Sequence, residues 1–203
     1  MQQFKVIGLA HMHDSISKYA AFLRGINVGG NRVLKMTDIK KGFESLGFRE
    51  VITVGASGNI VFTAQTADSS DLAKTIDTGL HKAFGLNGSA TVRSVDHLRE
   101  LIESDPFRGV KITVDIRLYV TFLNTPSRRR NPIKLPYNAS KGIFQILKLT
   151  KTEIFTVVDL AAGGGTLDAM GFIEKEFGKN LTTRNWNTVK KLALTALDRA
   201  TAF

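Results

Sequence analysis

From Val114 to Phe122 apolar and polar positions alternate: Val114, Ile116, Leu118, Val120 and Phe122 against Asp115, Arg117, Tyr119 and Thr121. That period of two predicts a half-buried strand. Nearer the start, Tyr19 to Leu23 is a short apolar run of strand length. Glu50 to Val54 and Asn59 to Thr63, rich in Val, Ile and Thr, read as a hairpin joined by Gly55-Ala56-Ser57-Gly58, and Ala90 to Val95 as a further strand. Two helical periods lie between them. Ile39, Phe43 and Leu46 are opened by Thr37 or Asp38 and stopped by Gly47; Leu72, Ile76, Leu80 and Ala83 are opened by Ser69 or Ser70 and stopped by Gly85. The order β-α-β-β-α-β over residues 19–95 predicts an α+β protein whose first half is ferredoxin-like.

The second half, residues 96–203, opens with a short helix from Asp96 to Glu103, closed before Pro106. The alternating strand comes next, then a loop with three prolines and Arg128-Arg129-Arg130. A hairpin of Phe144 to Leu149 with Ile154 to Val158 completes an expected three-stranded antiparallel meander. C-terminal helices are predicted from Thr166 to Phe177 and from Arg184 to Ala200. Ile60, Phe62 and Ala64 alternate with Val61 and Thr63, so both faces of the first sheet are largely apolar and the second half is expected to cover one of them. The two halves are therefore read as subdomains packed into one unit. Residues 1–18 show no sustained period and read as a disordered extension, whose His11-Met12-His13-Asp14 is too sparse for a preorganised metal clip. No internal repeat is evident.

Composition narrows the classes. A chain of 203 residues can bury roughly 70% of its unfolded surface and needs no staples. It has no cysteine, which removes disulfides, thiolate metal sites and cysteine nucleophiles and suits a reducing, cytoplasmic setting. No apolar run approaches the roughly 20 residues of a membrane span. The net charge of +10 favours anionic partners, a small ligand or nucleic acid, and equally describes a solvated basic surface. No cofactor is expected, and oligomeric state is not fixed.

The candidate chemistry is binding chemistry. In the run Arg24 to Asn31, Gly25, Gly29 and Gly30 let backbone amides approach an anion, with Arg24, Asn27 and Lys35 as donors. The run lacks the Walker and dinucleotide spacings, and a plain strand-to-helix connection accounts for it as well. Ser57-Gly58-Asn59 is both a turn and a compact set of hydrogen-bonding groups. Near the end, Thr182 or Thr183 is the expected cap of a helix whose first turn holds Arg184, Asn185 and Trp186. A cation there works against the helix dipole by roughly 0.3–1 kcal/mol, as if an anion were to be held. An internal salt bridge from Arg184, with Trp186 in the core, is the competing explanation. Gly163-Gly164-Gly165 reads as a flexible joint, and His81 and His97 as surface or boundary residues without a paired carboxylate.

Tyr19 to Gly30, Ser57 to Phe62 and Thr182 to Trp186 together resemble the domain-of-unknown-function family 1697, and the resemblance runs from Tyr19 to Ala200. It implies a two-part α+β fold with a ferredoxin-like first half. It also implies that Arg24, Asn27, Ser57, Asn59, Arg184 and Asn185 converge on one polar pocket. It implies no activity and no catalytic residue. Three functions follow as expectations: binding of a small phosphate- or carboxylate-bearing ligand, nucleic-acid binding through a basic surface, and a non-enzymatic role in which the motifs join the two halves. The strand from Asn59 to Thr63 lacks the paired aromatics with which RNA-recognition modules stack bases.

Overall fold

The computed structural model describes residues 15–26, 34–126, 133–163 and 165–196. The first sheet consists of β1 (Ile16–Leu23), β2 (Arg49–Thr53), β3 (Asn59–Gln65) and β4 (Ala90–Ser94) in the order β2-β3-β1-β4, all antiparallel. Helices α1 (Met36–Ser45) and α2 (Ser69–Phe84) cover its outer face. There Ile39 and Phe43 of α1 and Leu72, Ile76 and Leu80 of α2 bury Tyr19, Ala21, Ile60 and Phe62. Helix α2 begins where Asp68 accepts from the Ser70 amide at 2.7 Å and ends at Gly85 in the left-handed conformation. Strand β1 starts at Ile16, ahead of the expected Tyr19. The cap of α1 is Lys35 rather than Thr37 or Asp38, and its side chain makes no capping bond.

After α3 (Val95–Glu103) the second sheet is built from β5 (Ile116–Leu123), β6 (Tyr137–Asn138), β7 (Phe144–Leu149), β8 (Glu153–Asp159) and β9 (Leu181–Asn185). A 3-10 turn, Ser140–Gly142, lies between β6 and β7. Helices α4 (Thr166–Phe177) and α5 (Trp186–Thr195) complete the described chain. The order is β6-β7-β8-β5-β9, so the sheet is not the expected three-stranded meander. Strand β5 lies inside the sheet between β8 and β9, and β9 takes residues expected to cap and start the last helix. Tertiary pairing decides this. Thr182, Thr183 and Arg184 lie opposite Phe122, Thr121 and Val120, and Asn185 caps α5 by accepting from the Asn187 amide at 2.9 Å.

The inner faces of both sheets share one core with α3 and α5. Ala20, Phe22 and Val61 from the first sheet meet Val120, Phe122, Phe155 and Val157 from the second, closed by Leu98, Leu101, Val189 and Leu192. Phe22 and Phe122 stack at 4.6 Å with their planes 17° apart. The second half covers the inner face of the first sheet as its apolar pattern requires, while α4 covers the outer face of the second through Ala169 and Ile173.

The two sheets have one plan. Strands β5, β7, β8 and β9 occupy the places of β1, β2, β3 and β4, with α4 following β8 as α2 follows β3, and α5 following β9 as α3 follows β4. This internal repeat escaped the sequence reading because few residues carry it. Tyr19, Phe22 and Leu23 recur as Tyr119, Phe122 and Leu123, and Thr91 and Arg93 recur as Thr182 and Arg184.

Candidate functional site

A cleft of about 470 Å3 opens where the two halves meet, lined by the end of β1, the β2–β3 turn, β9 and α4. Leu23, Ile26, Met170 and Leu181 supply apolar wall; Arg24, Ser57, Glu174, Thr183 and Arg184 supply the polar groups. Gly58 makes the turn possible. Its φ is +69°, and a Cβ there would run into Ile26 and come within 3.0 Å of Leu23 Cβ.

Arg184 reaches from β9 into the first half. Its Nε donates to Asn59 Oδ1 at 2.6 Å, Nη2 to the carbonyls of Leu23 at 2.7 Å and Ser57 at 3.3 Å, and Nη1 to its neighbour Thr183 at 2.9 Å. The guanidinium lies over the Phe22 ring, 5.8 Å from its centroid. Burial lowers the Arg184 pKa to about 10. Arg184 belongs to no ion pair among the described residues. The expected internal salt bridge is therefore absent among them, and the residue stands on a strand rather than in the first turn of a helix.

Arg24 crosses in the opposite direction. Its Nη2 meets Glu174 Oε1 at 2.7 Å, and Nη1 donates to the carbonyls of Lys179 and, at 3.3 Å, Leu181. The Arg24 carbonyl is closely approached by Gly88, where a Cβ would collide with it.

The remaining candidates are dispersed. Ser57 and Thr183 line the cleft, the latter hydrogen-bonded to Thr121 at 2.7 Å. Asn59 is buried behind Arg184, its Nδ2 donating to the Val54 carbonyl at 3.3 Å. Lys35 is exposed at the start of α1 and Asn185 caps α5; neither lines the cleft. Trp186 is core, edge-on to Phe107 at 5.4 Å and Phe155 at 6.1 Å. Asn27, Gly29 and Gly30 lie outside the described residues, as do His11 to Asp14 and Arg128 to Arg130.

A second polar cluster was not anticipated. Arg93 on β4 donates through Nε to Glu153 Oε1 at 3.1 Å and through Nη2 to the Leu123 carbonyl at 2.8 Å, and lies over the Phe122 ring. Glu153, 1% exposed, also accepts from Thr150 at 2.6 Å and Thr152 at 3.0 Å. His97 Nε2 lies 3.1 Å from Glu153 Oε1, so this histidine does meet a carboxylate, one supplied by the other half. Burial alone would raise the Glu153 pKa, but the hydrogen bonds from His97 and Thr150 and the charge of Arg93 bring it down to about 2. The recurring Thr-x-Arg at residues 91–93 and 182–184 is the signal that would have found Arg93.

Among the described residues no group of three or more His, Asp or Glu is placed to hold a metal ion, and no helix is long and apolar enough to cross a membrane.

The family model described as a protein of unknown function (DUF1697) matches residues 16–155. No curated protein matches the chain. Among solved structures, the conserved bacterial protein SP0830 from Streptococcus pneumoniae is similar at 18% identity and a TM-score of 0.66, over 89% of this chain and 98% of that one. At that identity the likeness concerns the fold alone.

Proposed function

The chain belongs to the DUF1697 family, whose description names no activity, and we propose from its own geometry that the inter-half cleft binds a small ligand through an anionic group held by Arg184. One observation carries the reading. Arg184 brings a partly buried positive charge to the cleft wall, and its acceptors among the described residues are all neutral oxygens. A cation withdrawn from water is best stabilised by an opposite charge. Among the described residues, acceptors meet four of the five N–H groups of the guanidinium, which leaves one on Nη1 for a ligand. Ser57 and Thr183 line the same cleft as further polar residues, and the apolar wall suits a carbon skeleton. The first half is read as ferredoxin-like on the same footing, with the order β2-β3-β1-β4 as its support.

A second reading has its own observation: Arg24 and Arg184 spend most of their donors across the two halves, as a purely structural joint would. Thermal melting separates the two. Wild type and Arg184→Gln are screened against inorganic phosphate, nucleotides, sugar phosphates and carboxylates. An anion at 100 times its dissociation constant stabilises wild type by roughly 2.7 kcal/mol. The variant melts lower and shows no anion-dependent shift. If no anion shifts wild type while the variant is still destabilised, the joint reading replaces the ligand reading.

A further inference from the structure

We infer that Asn59 is the specificity-determining residue of the cleft, because it holds a neutral amide where the matching position of the other half holds the carboxylate of Glu153. The inference rests on the anion-binding reading above.

The internal repeat supplies the comparison. On the first sheet Phe22 is flanked by Asn59 on β3 and Thr91 on β4; on the second, Phe122 is flanked by Glu153 on β8 and Thr182 on β9. The two threonines touch, Oγ1 to Oγ1 at 3.1 Å. Two residues beyond each threonine stands an arginine that crosses to the other half. Arg184 donates to the Leu23 carbonyl and lies over Phe22; Arg93 donates to the Leu123 carbonyl and lies over Phe122. Each also donates through Nη1 at 2.9 Å to the carbonyl of the residue before it, Thr183 or Val92. Each aims Nε at the residue beside the opposite phenylalanine, Asn59 in one case and Glu153 in the other.

The geometry is shared and the charge is not. Arg93 is neutralised within the protein by Glu153. Arg184 receives the same Nε contact from an uncharged oxygen, and its site, unlike that of Arg93, borders the cleft. A carboxylate at residue 59 would complete the second internal ion pair at an effective concentration that a free ligand cannot match. The neutral side chain keeps the Arg184 charge available while still fixing the guanidinium plane.

Calorimetric titration of inorganic phosphate into wild type, Asn59→Ser and Asn59→Asp tests this. Wild type binds; the Ser variant, neutral but without the amide oxygen that holds Arg184 Nε, binds more weakly; the Asp variant binds at least about tenfold more weakly than the Ser variant, with a melting temperature no lower than that of the Ser variant. An Asp variant that binds phosphate as tightly as the Ser variant does overturns the role of Asn59 and leaves the anion site standing. Wild type that binds neither phosphate nor any of the anions screened above overturns both. Should the Asp variant fail to fold, the arginine Nε–H resonances of wild type decide: phosphate moves that of Arg184 and leaves that of Arg93 in place, and movement of Arg93 alone, or of both equally, overturns the inference.

Discussion

Glu153 is the residue whose titration the structure makes most visible. Its carboxyl is held at about 2, below its ordinary value of 4.5, so the ionised form is favoured in the folded protein. Its contribution is then fully present above pH 4.5 and is lost as the pH falls toward 2. Glu153→Gln is expected to lower stability at neutral pH by about 3 kcal/mol and to flatten the acid dependence across that window, measured by urea unfolding at several pH values. Gly58 is a residue of a different kind, fixed by backbone rather than charge. Gly58→Ala forces a Cβ into Ile26 at a positive φ and is expected to cost roughly 1–3 kcal/mol in the same assay.

At the scale of elements, β9 and α5 hold the main lesson. Asn185, not Thr182 or Thr183, is the helix cap, so Asn185→Ala is expected to cost about 1 kcal/mol by chemical denaturation. Thr183→Ala removes its bond to Thr121 and leaves the helix start intact. The sequence alone made α2, α4 and β5 legible because cap residues, glycine stops and alternation are local signals. It made β9 illegible because Thr-Thr-Arg-Asn satisfies a helix start as well as a strand, and only pairing with β5 chooses between them. The two residues of β6 are too few to show a period. For the cleft, Arg24, Ser57, Thr183 and Arg184 were marked by the polar character of their motifs. Their partner Glu174 sits in an ordinary helical pattern, and nothing local announces that it faces Arg24. A cation opposing the helix dipole requires a helix that starts at residue 184, whereas α5 starts at Trp186, so Arg184 matters for a different reason.

The whole molecule is held by the core between its sheets, where Phe22 and Phe122 stack and an arginine from the opposite half lies over each ring. Phe122→Ala is expected to cost about 3–5 kcal/mol and, because both sheets share that core, to lower one common transition followed by circular dichroism and by the fluorescence of Trp186. The cleft is a product of the same arrangement, since neither half alone brings Arg184, Ser57 and Glu174 together. The most direct test of an anion site at this junction is anomalous diffraction from crystals soaked in selenate. A selenium peak is expected in the cleft, with a selenate oxygen within hydrogen-bond distance of Arg184 Nη1. Anion density elsewhere on the surface and none at Arg184 would contradict it.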